Sequence, residues 1–292
     1  MSTTPLLSIG LFLYNGDRFL EAAIESILNQ TFRDFELIIS DNCSTDGSGE
    51  ICRRFAAQDS RVRYYRAEHT MSAGWNLRDV YFKAIGKYFK WATHDDMIQP
   101  DYLRLCIDAL EADDSLVVAH TLTRCIDESG AFVESDDERL RTSSLDPVVR
   151  VRDLLLKGHE GYSFSGLIRL DALRKLPPRG SYVHSDRVLL LQLGLLGRFY
   201  EVPEHLSICT KHTVEAVSAL WEPSSPVFPE WNAAKEFARS VARSPLSRGQ
   251  RLRCYGAIVR WAMSNLQNRH ATVTKPAPLG SLDLNPRGGE SI

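Results

Sequence analysis

Two neighbouring carboxylates, Asp95 and Asp96, stand out for chemistry. They lie in YFKWATHDDMIQPDYL (88–103), where five strand-like residues run into the pair and a proline and a helix-like run follow. Adjacent like charges repel, so the pair needs either the water of a solvated turn or a cation. Oxygen donors suit Mg2+ or Mn2+, which bind through one or two carboxylates and complete their shell with phosphate oxygens. A third carboxylate, Asp41, closes the apolar run FELIISD (35–41). It can accept the imide N–H of uracil or thymine, or cap the next helix. Ser44 and Asp46 offer caps of their own, which leaves Asp41 freer for a ligand. Other phosphate and metal chemistries lack their residues. The sequence has no EF-hand loop, no GxxxxGK[ST], and no GxGxxG after its first apolar run. A bound nucleotide would therefore have its diphosphate held by a metal rather than by a glycine nest.

These residues sit where an alternating pattern would put them. LLSIGLFL (6–13), FELIISD, RVRYYRA (61–67), 87–92 and LVVAH (116–120) read as strands. Helical patterns separate them at 18–30, 44–58, 73–85 and 100–112. Repeated strand–helix units with apolar strands predict an α/β fold with a mostly parallel sheet covered on both faces. Ligands of such sheets bind at the carboxyl ends of the strands. That directs attention to Tyr14 to Asp17, Asp41-Asn42, Arg66 to His69 and His94 to Asp96. Beyond residue 120 the rhythm changes. HTLTRCIDESGAFVE reads as strand, turn and strand around Ser129-Gly130, followed by a helix at 146–158 and a strand with a short helix at 162–170. A strongly apolar helix at 185–197 opens with the cap-type residues Ser185 and Asp186, and RFYEV and LSICT read as two short strands. The segment WEPSSPVFPEW (221–231) reads as a linker, 231–269 as basic and helical, and 273–292 as disordered.

Composition excludes several classes. Of 292 residues, 43% are hydrophobic and 25% charged, as in an ordinary globular chain. Net charge is −2, so nothing points to nucleic acid. The cysteines (Cys43, Cys52, Cys106, Cys125, Cys209, Cys254) form no CxxC pair. They are expected as buried free thiols in a reducing cytosol. No secretory signal is visible, and no window reaches the ~20 apolar residues of a transmembrane helix.

Three stretches resemble family 2 glycosyltransferases, which have the GT-A fold. SIGLFLYNGDRFLEAAIESILNQTFRDFELIISDNCSTDGS looks like their opening strand, Tyr-Asn turn, helix ending near Gln-Thr, and Asp-x-x-Ser-x-Asp turn. SAGWNLRDVYFKAIGKYFKWATHDDMIQPDYL resembles their next helix, strand and DXD-type metal motif. SYVHSDRVLLLQLGLLGRFYEVPEHLSICTKH resembles the region of their catalytic base. The resemblance spans about residues 6 to 212. It implies that Asp41 binds the base and Tyr14 stacks on it, with Phe12 and Asn15 shaping the pocket. It implies Asp95 as metal ligand for Mg2+ or Mn2+, with Thr93 where relatives have the first acid. His94 would lie near ribose or phosphate and Asp96 near the sugar; Arg78 is counted with them among the donor-binding residues. Asp186 would be the general base. His212 falls where relatives have an Arg-x-His loop over the donor, with Cys209 or Thr210 at the Arg position and Lys211 alongside.

The implied activity is inverting transfer from a UDP- or dTDP-sugar to a hydroxyl of a glycan, a lipid-linked or a small-molecule acceptor. The rivals are a sugar-nucleotide nucleotidyltransferase and a non-catalytic sugar-nucleotide-binding module. Residues 1–222 are expected as the GT-A domain. About 1–120 would form its nucleotide-sugar half and about 121–222 its acceptor half. A helical extension would occupy 223–272, with a disordered tail at 273–292. The basic, amphipathic 231–269 could contact the cytoplasmic face of a membrane, mediate a homodimer, or pack on the domain.

Overall fold

The computed structural model describes residues 4–136, 140–157, 161–177, 184–212 and 229–273. Continuous apolar runs became central strands. β1 (Leu7–Leu13) and β2 (Phe35–Asp41) are buried along almost their whole length, as strands covered on both faces must be. They alternate with α1 (Asp17–Leu28), α2 (Ser48–Gln58), β3 (Val62–Arg66), α3 (Ala73–Lys83), β4 (Tyr88–Ala92), the two-residue β5 (Met97–Ile98) and α4 (Tyr102–Ala112). Then come β6 (Leu116–Asp127), β7 (Phe132–Asp136), α5 (Pro147–Leu156), a 3-10 turn at Tyr162–Ser165, β8 (Leu167–Arg169), α6 (Leu170–Arg174), α7 (Ser185–Leu196) and β9 (Arg198–Lys211). Two helices follow, α8 (Pro229–Arg243) and α9 (Arg248–Val273).

The strands form one sheet in the order β3-β2-β1-β4-β8-β6-β9-β5, with β7 paired to β6. The first four are parallel, as expected. The second half corrects that expectation. β8 runs antiparallel to both β4 and β6, while β6 and β9 are parallel and β5 and β7 pair antiparallel, so the sheet is mixed. The short hop from β4 through β5 and α4 reverses no strand by itself. The reversal comes from three-residue β8, which slots between β4 and β6. Sequence also divided RFYEV from LSICT. They are one strand, β9, and register shifts against β6 around Thr121–Thr123 absorb Pro203 and its neighbours.

Three apolar clusters hold the layers. One joins α1, α2 and α4 to the sheet through Leu20, Ile24, Cys52, Leu103 and Ile107. A second packs α3, α6 and α7 on the other face through Val80, Leu173, Leu190 and Leu193. A third, described below, joins α5 and α7 to α8 and α9.

Gln30, in the stretch that resembles the family's opening, turns out to be structural. It is fully buried; its Nε2 donates to the carbonyls of Ile98 and Gln99, and its Oε1 accepts from Leu103 N at 3.0 Å. One side chain thus ties the end of α1 to the chain just beyond the carboxylate pair. All six cysteines are free, but only four are buried; Cys43 and Cys209 are half-buried. The linker before residue 229 and the tail after 273 lie outside the described residues.

Candidate functional site

The carboxyl ends of β1, β2, β4, β6 and β9 converge on one rim. After β1, the turn Tyr14-Asn15-Gly16 carries Asn15 at a positive φ of 49°. Any side chain at Gly16 would collide with the His94 ring, so this close approach requires glycine. The turn is laced to the loop after β2: Asn15 N donates to Ser44 Oγ, Gly16 N to Ser48 Oγ, and Asn15 Oδ1 accepts from Thr45 N at 2.8 Å. Asn15 is therefore a brace between the two loops. Tyr14 is half-buried beside it, and Phe12 packs partly into the cluster under α3.

Asp41 corrects an expectation. It is fully buried and is not free. Its Oδ1 accepts from Ser44 N at 2.8 Å; its Oδ2 accepts from the Tyr64 hydroxyl at 2.7 Å and from Arg66 Nη1 at 2.6 Å. Burial, helped by the hydrogen bond to Asp41, pushes the Tyr64 hydroxyl up to about 12, so it stays a donor. A carboxylate has about four acceptor positions, and three are taken. Of the three partners Arg66 is the most open to solvent, its side chain 38% exposed.

Asp95 and Asp96 have divergent surroundings. Thr210, at the end of β9, donates its N–H to Asp96 Oδ1 at 3.2 Å and its hydroxyl to the Asp95 carbonyl at 2.6 Å. Burial, and then the Asp95 charge, push the Asp96 carboxyl upward. Asp95 instead turns its Oδ2 to His212 Nε2, 2.6 Å away. His212 Nδ1 meets Glu128 Oε1 at 3.0 Å, and Glu128 Oε2 meets Arg18 Nη1 at 2.5 Å. The result is a chain of alternating charge: Asp95, His212, Glu128, Arg18. Burial opposes charge on the imidazole, but its hydrogen bonds to the Glu128 and Asp95 carboxylates outweigh that and raise the His212 pKa above the ordinary histidine value. The Phe19 ring lies edge-on to His212 at 5.8 Å.

The residue types suit a small divalent cation, but the pair is closed: Asp95 Oδ2 and His212 Nε2 lie 2.6 Å apart and bond each other, so a cation enters only if they part and the imidazole gives up its proton. Asp96 is engaged by Thr210, and Thr93 supplies no charge. One carboxylate and one imidazole leave most of a six-oxygen shell to phosphate and water, which is the habit of Mg2+ and Mn2+. Among the described residues no group of three or more His, Cys, Asp or Glu is placed to hold a metal ion.

α7 enters the rim from the other side. The chain passes into β9 at Arg198, whose N–H bonds Ser115 O at the amino end of β6. The first turn of α7 therefore lies at the carboxyl-end rim. Asp186 is in that turn but is not its cap: the cap is His184, at a φ of 68°, with no side-chain cap bond. Asp186 is half-buried, and no hydrogen bond or ion pair engages it among the described residues. The amino-terminal end of a helix dipole favours a negative charge there. His94 lies on the rim against Gly16, and His69 is exposed on the loop after β3. Arg78 is elsewhere. It lines a cavity of about 220 Å³ with Tyr81, Trp91, Arg174 and Leu189, which neither Asp95 nor His212 enters.

Sequence reasoning named Arg66 and Thr210 without their partners, and it missed Glu128 and Arg18. Glu128 sits in the turn of the β6–β7 hairpin, 84 residues from His212, and no spacing rule connects the two.

The family described as "Glycosyl transferase family 2" matches residues 8–176. Chondroitin synthase of Escherichia coli is 31% identical over 135 residues, which make up 46% of this chain and 20% of that protein. Glycosyltransferase GlyG of Streptococcus pneumoniae is 31% identical over 129 residues, 44% of this chain and 43% of that one. The chain thus spans less than half the length of these relatives. Among solved structures, S. aureus TarS residues 1–349 in complex with UDP-GlcNAc has a TM-score of 0.70 at 16% identity, covering 92% of this chain and 75% of that one. The mannosyltransferase PcManGT from Pyrobaculum calidifontis, in complex with GDP-Man and Mn2+, has a TM-score of 0.53 at 14% identity, covering 92% and 89%. At such identities the likeness concerns the GT-A fold.

Proposed function

The chain belongs to glycosyltransferase family 2, and on that premise we propose that it moves a sugar from a UDP- or dTDP-linked donor to an acceptor hydroxyl, with inversion. The observation that carries this reading is the rim itself. It carries the Asp95–His212 pair, which could open to a diphosphate-bound cation, and the first turn of α7 with Asp186, whose carboxylate meets no hydrogen bond or ion pair among the described residues. The complexes of TarS with UDP-GlcNAc and of PcManGT with GDP-Man and Mn2+ support a nucleotide-sugar donor and a divalent ion.

In this reading Asp95 and His212, parted from each other and with the imidazole neutral, would hold Mg2+ or Mn2+, and the bound ion would neutralise charge on the departing diphosphate. Asp186 accepts the acceptor's hydroxyl proton as that oxygen attacks the anomeric carbon from the face opposite the diphosphate. An alcohol is barely acidic, so the proton moves in the transition state and not before it. The C–O bond to the acceptor forms as the bond to the diphosphate breaks, and one displacement inverts the centre. Tyr14 and Asp41 form the base end, with Arg66 turning out so that Asp41 Oδ2 is open to the imide N–H. Asp96, held by Thr210, and His94 stand behind the pair. Arg78 is left outside the donor site.

On this reading residues 1–222 would make up the catalytic domain, with the helices α8 and α9 as its extension. The acceptor is a glycan, a lipid-linked sugar or a small molecule. Free thiols suit a reducing, cytosolic compartment.

A panel of sugar nucleotides, with and without Mn2+, tests the proposal. Release of free UDP or dTDP supports transfer. Release of pyrophosphate would instead make the chain a nucleotidyltransferase, and thermal stabilisation without any turnover would make it a binding module.

A further inference from the structure

Helix α9 has two faces with different fates. Cys254, Ala257, Ile258 and Trp261 are buried against α5, α7 and α8. The opposite face exposes Leu252 (72%), Val259 (56%) and Met263 (56%), with exposed Gly256 between them. At 3.6 residues per turn these positions fall within a strip about 60° wide. Exposed Arg253 and Arg260 border it on one side. Over its whole length α9 carries Arg248, Arg251, Arg253, Arg260 and Arg269, and not one Asp or Glu. On the neighbouring α8, Trp231 is 62% exposed, with the Lys235 ammonium 5.7 Å from its ring centre.

We propose that this face of α9 docks the protein on an anionic lipid surface. An apolar strip bordered by arginines satisfies both halves of such a surface: the strip enters the acyl boundary and the guanidiniums meet the headgroup phosphates. A second copy of the chain fits less well. Two such helices face to face would oppose their arginine rows, and neither helix has a carboxylate to meet them. A nucleic acid would leave the apolar strip without a partner. No helix among the described residues is long and apolar enough to cross a membrane, so the contact is one of lying on the surface.

The position of the helix gives the contact a use. The Trp261 ring, on the buried face, lies 5.4 Å from that of His184, two residues before Asp186. The exposed strip is then about one helix diameter, roughly 10 Å, from the start of α7. A docked protein would hold its acceptor rim beside the lipid, where an acceptor with a lipid anchor is found. The docking surface itself does not depend on the transfer reaction.

Co-sedimentation of the full chain with vesicles tests this. Vesicles of equal parts phosphatidylglycerol and phosphatidylcholine should pellet the protein, pure phosphatidylcholine should not, and high salt should weaken the binding. Removing both arginines (R253S with R260S) should lower partitioning roughly thirtyfold. Val259→Ser with Met263→Ser should abolish the binding that survives high salt. All four positions are exposed, so the melting temperature should hold. Absence of pelleting with anionic vesicles overturns the proposal, as does equal pelleting with neutral ones. A wild-type dimer that the V259S/M263S variant turns into a monomer, with no vesicle binding by either, would overturn it in favour of an interface between copies.

Discussion

At the scale of single residues, the rim divides labour among carboxylates that look alike in sequence. Asp41 is enclosed, Asp96 is held by Thr210, Asp95 faces a histidine, and Asp186 meets no hydrogen bond or ion pair among the described residues. Those surroundings predict different losses. Asp186→Asn should leave UDP-sugar affinity nearly unchanged and lower turnover by about 10²–10⁴-fold, the usual contribution of a general base. A variant with normal turnover would remove Asp186 from the reaction. Asp95→Ala should abolish the Mn2+-dependent part of UDP binding, measured by calorimetry with and without the ion, while Asp96→Ala should cost less. His212→Ala should weaken the same part. If UDP affinity in Mn2+ were equal across these variants, neither Asp95 nor His212 would hold the metal. The four carboxylates could be read from sequence because each ends or begins a strongly patterned segment. Their pairings could not. Arg66, Thr210 and His212 reach them across 25, 114 and 117 residues, and polar side chains in loops carry no periodic signal.

At the scale of elements, apolar periodicity located nearly every helix and strand, because burial on one stripe or on both faces leaves a pattern in the sequence. It failed where burial was incomplete. β9 is half-exposed along much of its length and contains Pro203, so its pattern broke in two. β8 is too short to show a period, which is why the antiparallel half of the sheet was not foreseen. The loop into α5 adds a contact of another kind. Asp153, on α5 and 3% exposed, accepts from Arg141 Nη2 at 2.7 Å and from Lys157 Nζ at 2.9 Å. Burial alone would raise its pKa, but the hydrogen bonds from Arg141 and Lys157 outweigh it and hold the carboxyl well below the usual range. A depressed carboxyl stabilises the fold above its unfolded pKa, and that stability is lost as pH falls through the folded value. Asp153→Asn should therefore cost about 2 kcal/mol at neutral pH, the worth of hydrogen bonds to a charged group. The difference from wild type, followed by urea unfolding, should narrow below about pH 4. A gap independent of pH would mean that packing, not charge, carries the effect.

At the scale of the whole molecule, the question is whether α8 and α9 are an appendage or part of the body. Sequence offered both, since a basic helix with scattered apolar residues can lie on lipid or on protein. The structure shows one face of the pair committed to protein. Phe237 and Val241 of α8 and Cys254, Ile258 and Trp261 of α9 are buried, and they cover Val148, Val151 and Leu155 of α5 and Val188, Leu191 and Leu195 of α7. Uncovering those six aliphatic side chains returns each to water at about 1.5–3 kcal/mol, so the sum is on the order of 10 kcal/mol. A domain has only about 5–15 kcal/mol in total. A chain ending at residue 222 should therefore aggregate or melt far below the full chain, even though the family match ends at residue 176 and all of the candidate rim is retained. Phe237→Ala, which removes one fully buried ring, should cost about 3–5 kcal/mol and act as the milder version of the same lesion. The substitutions on the exposed strip of α9 should do neither. A soluble truncated chain that melts like the full one would show that α5 and α7 do not need this cover, and would return the two helices to the status of an appendage.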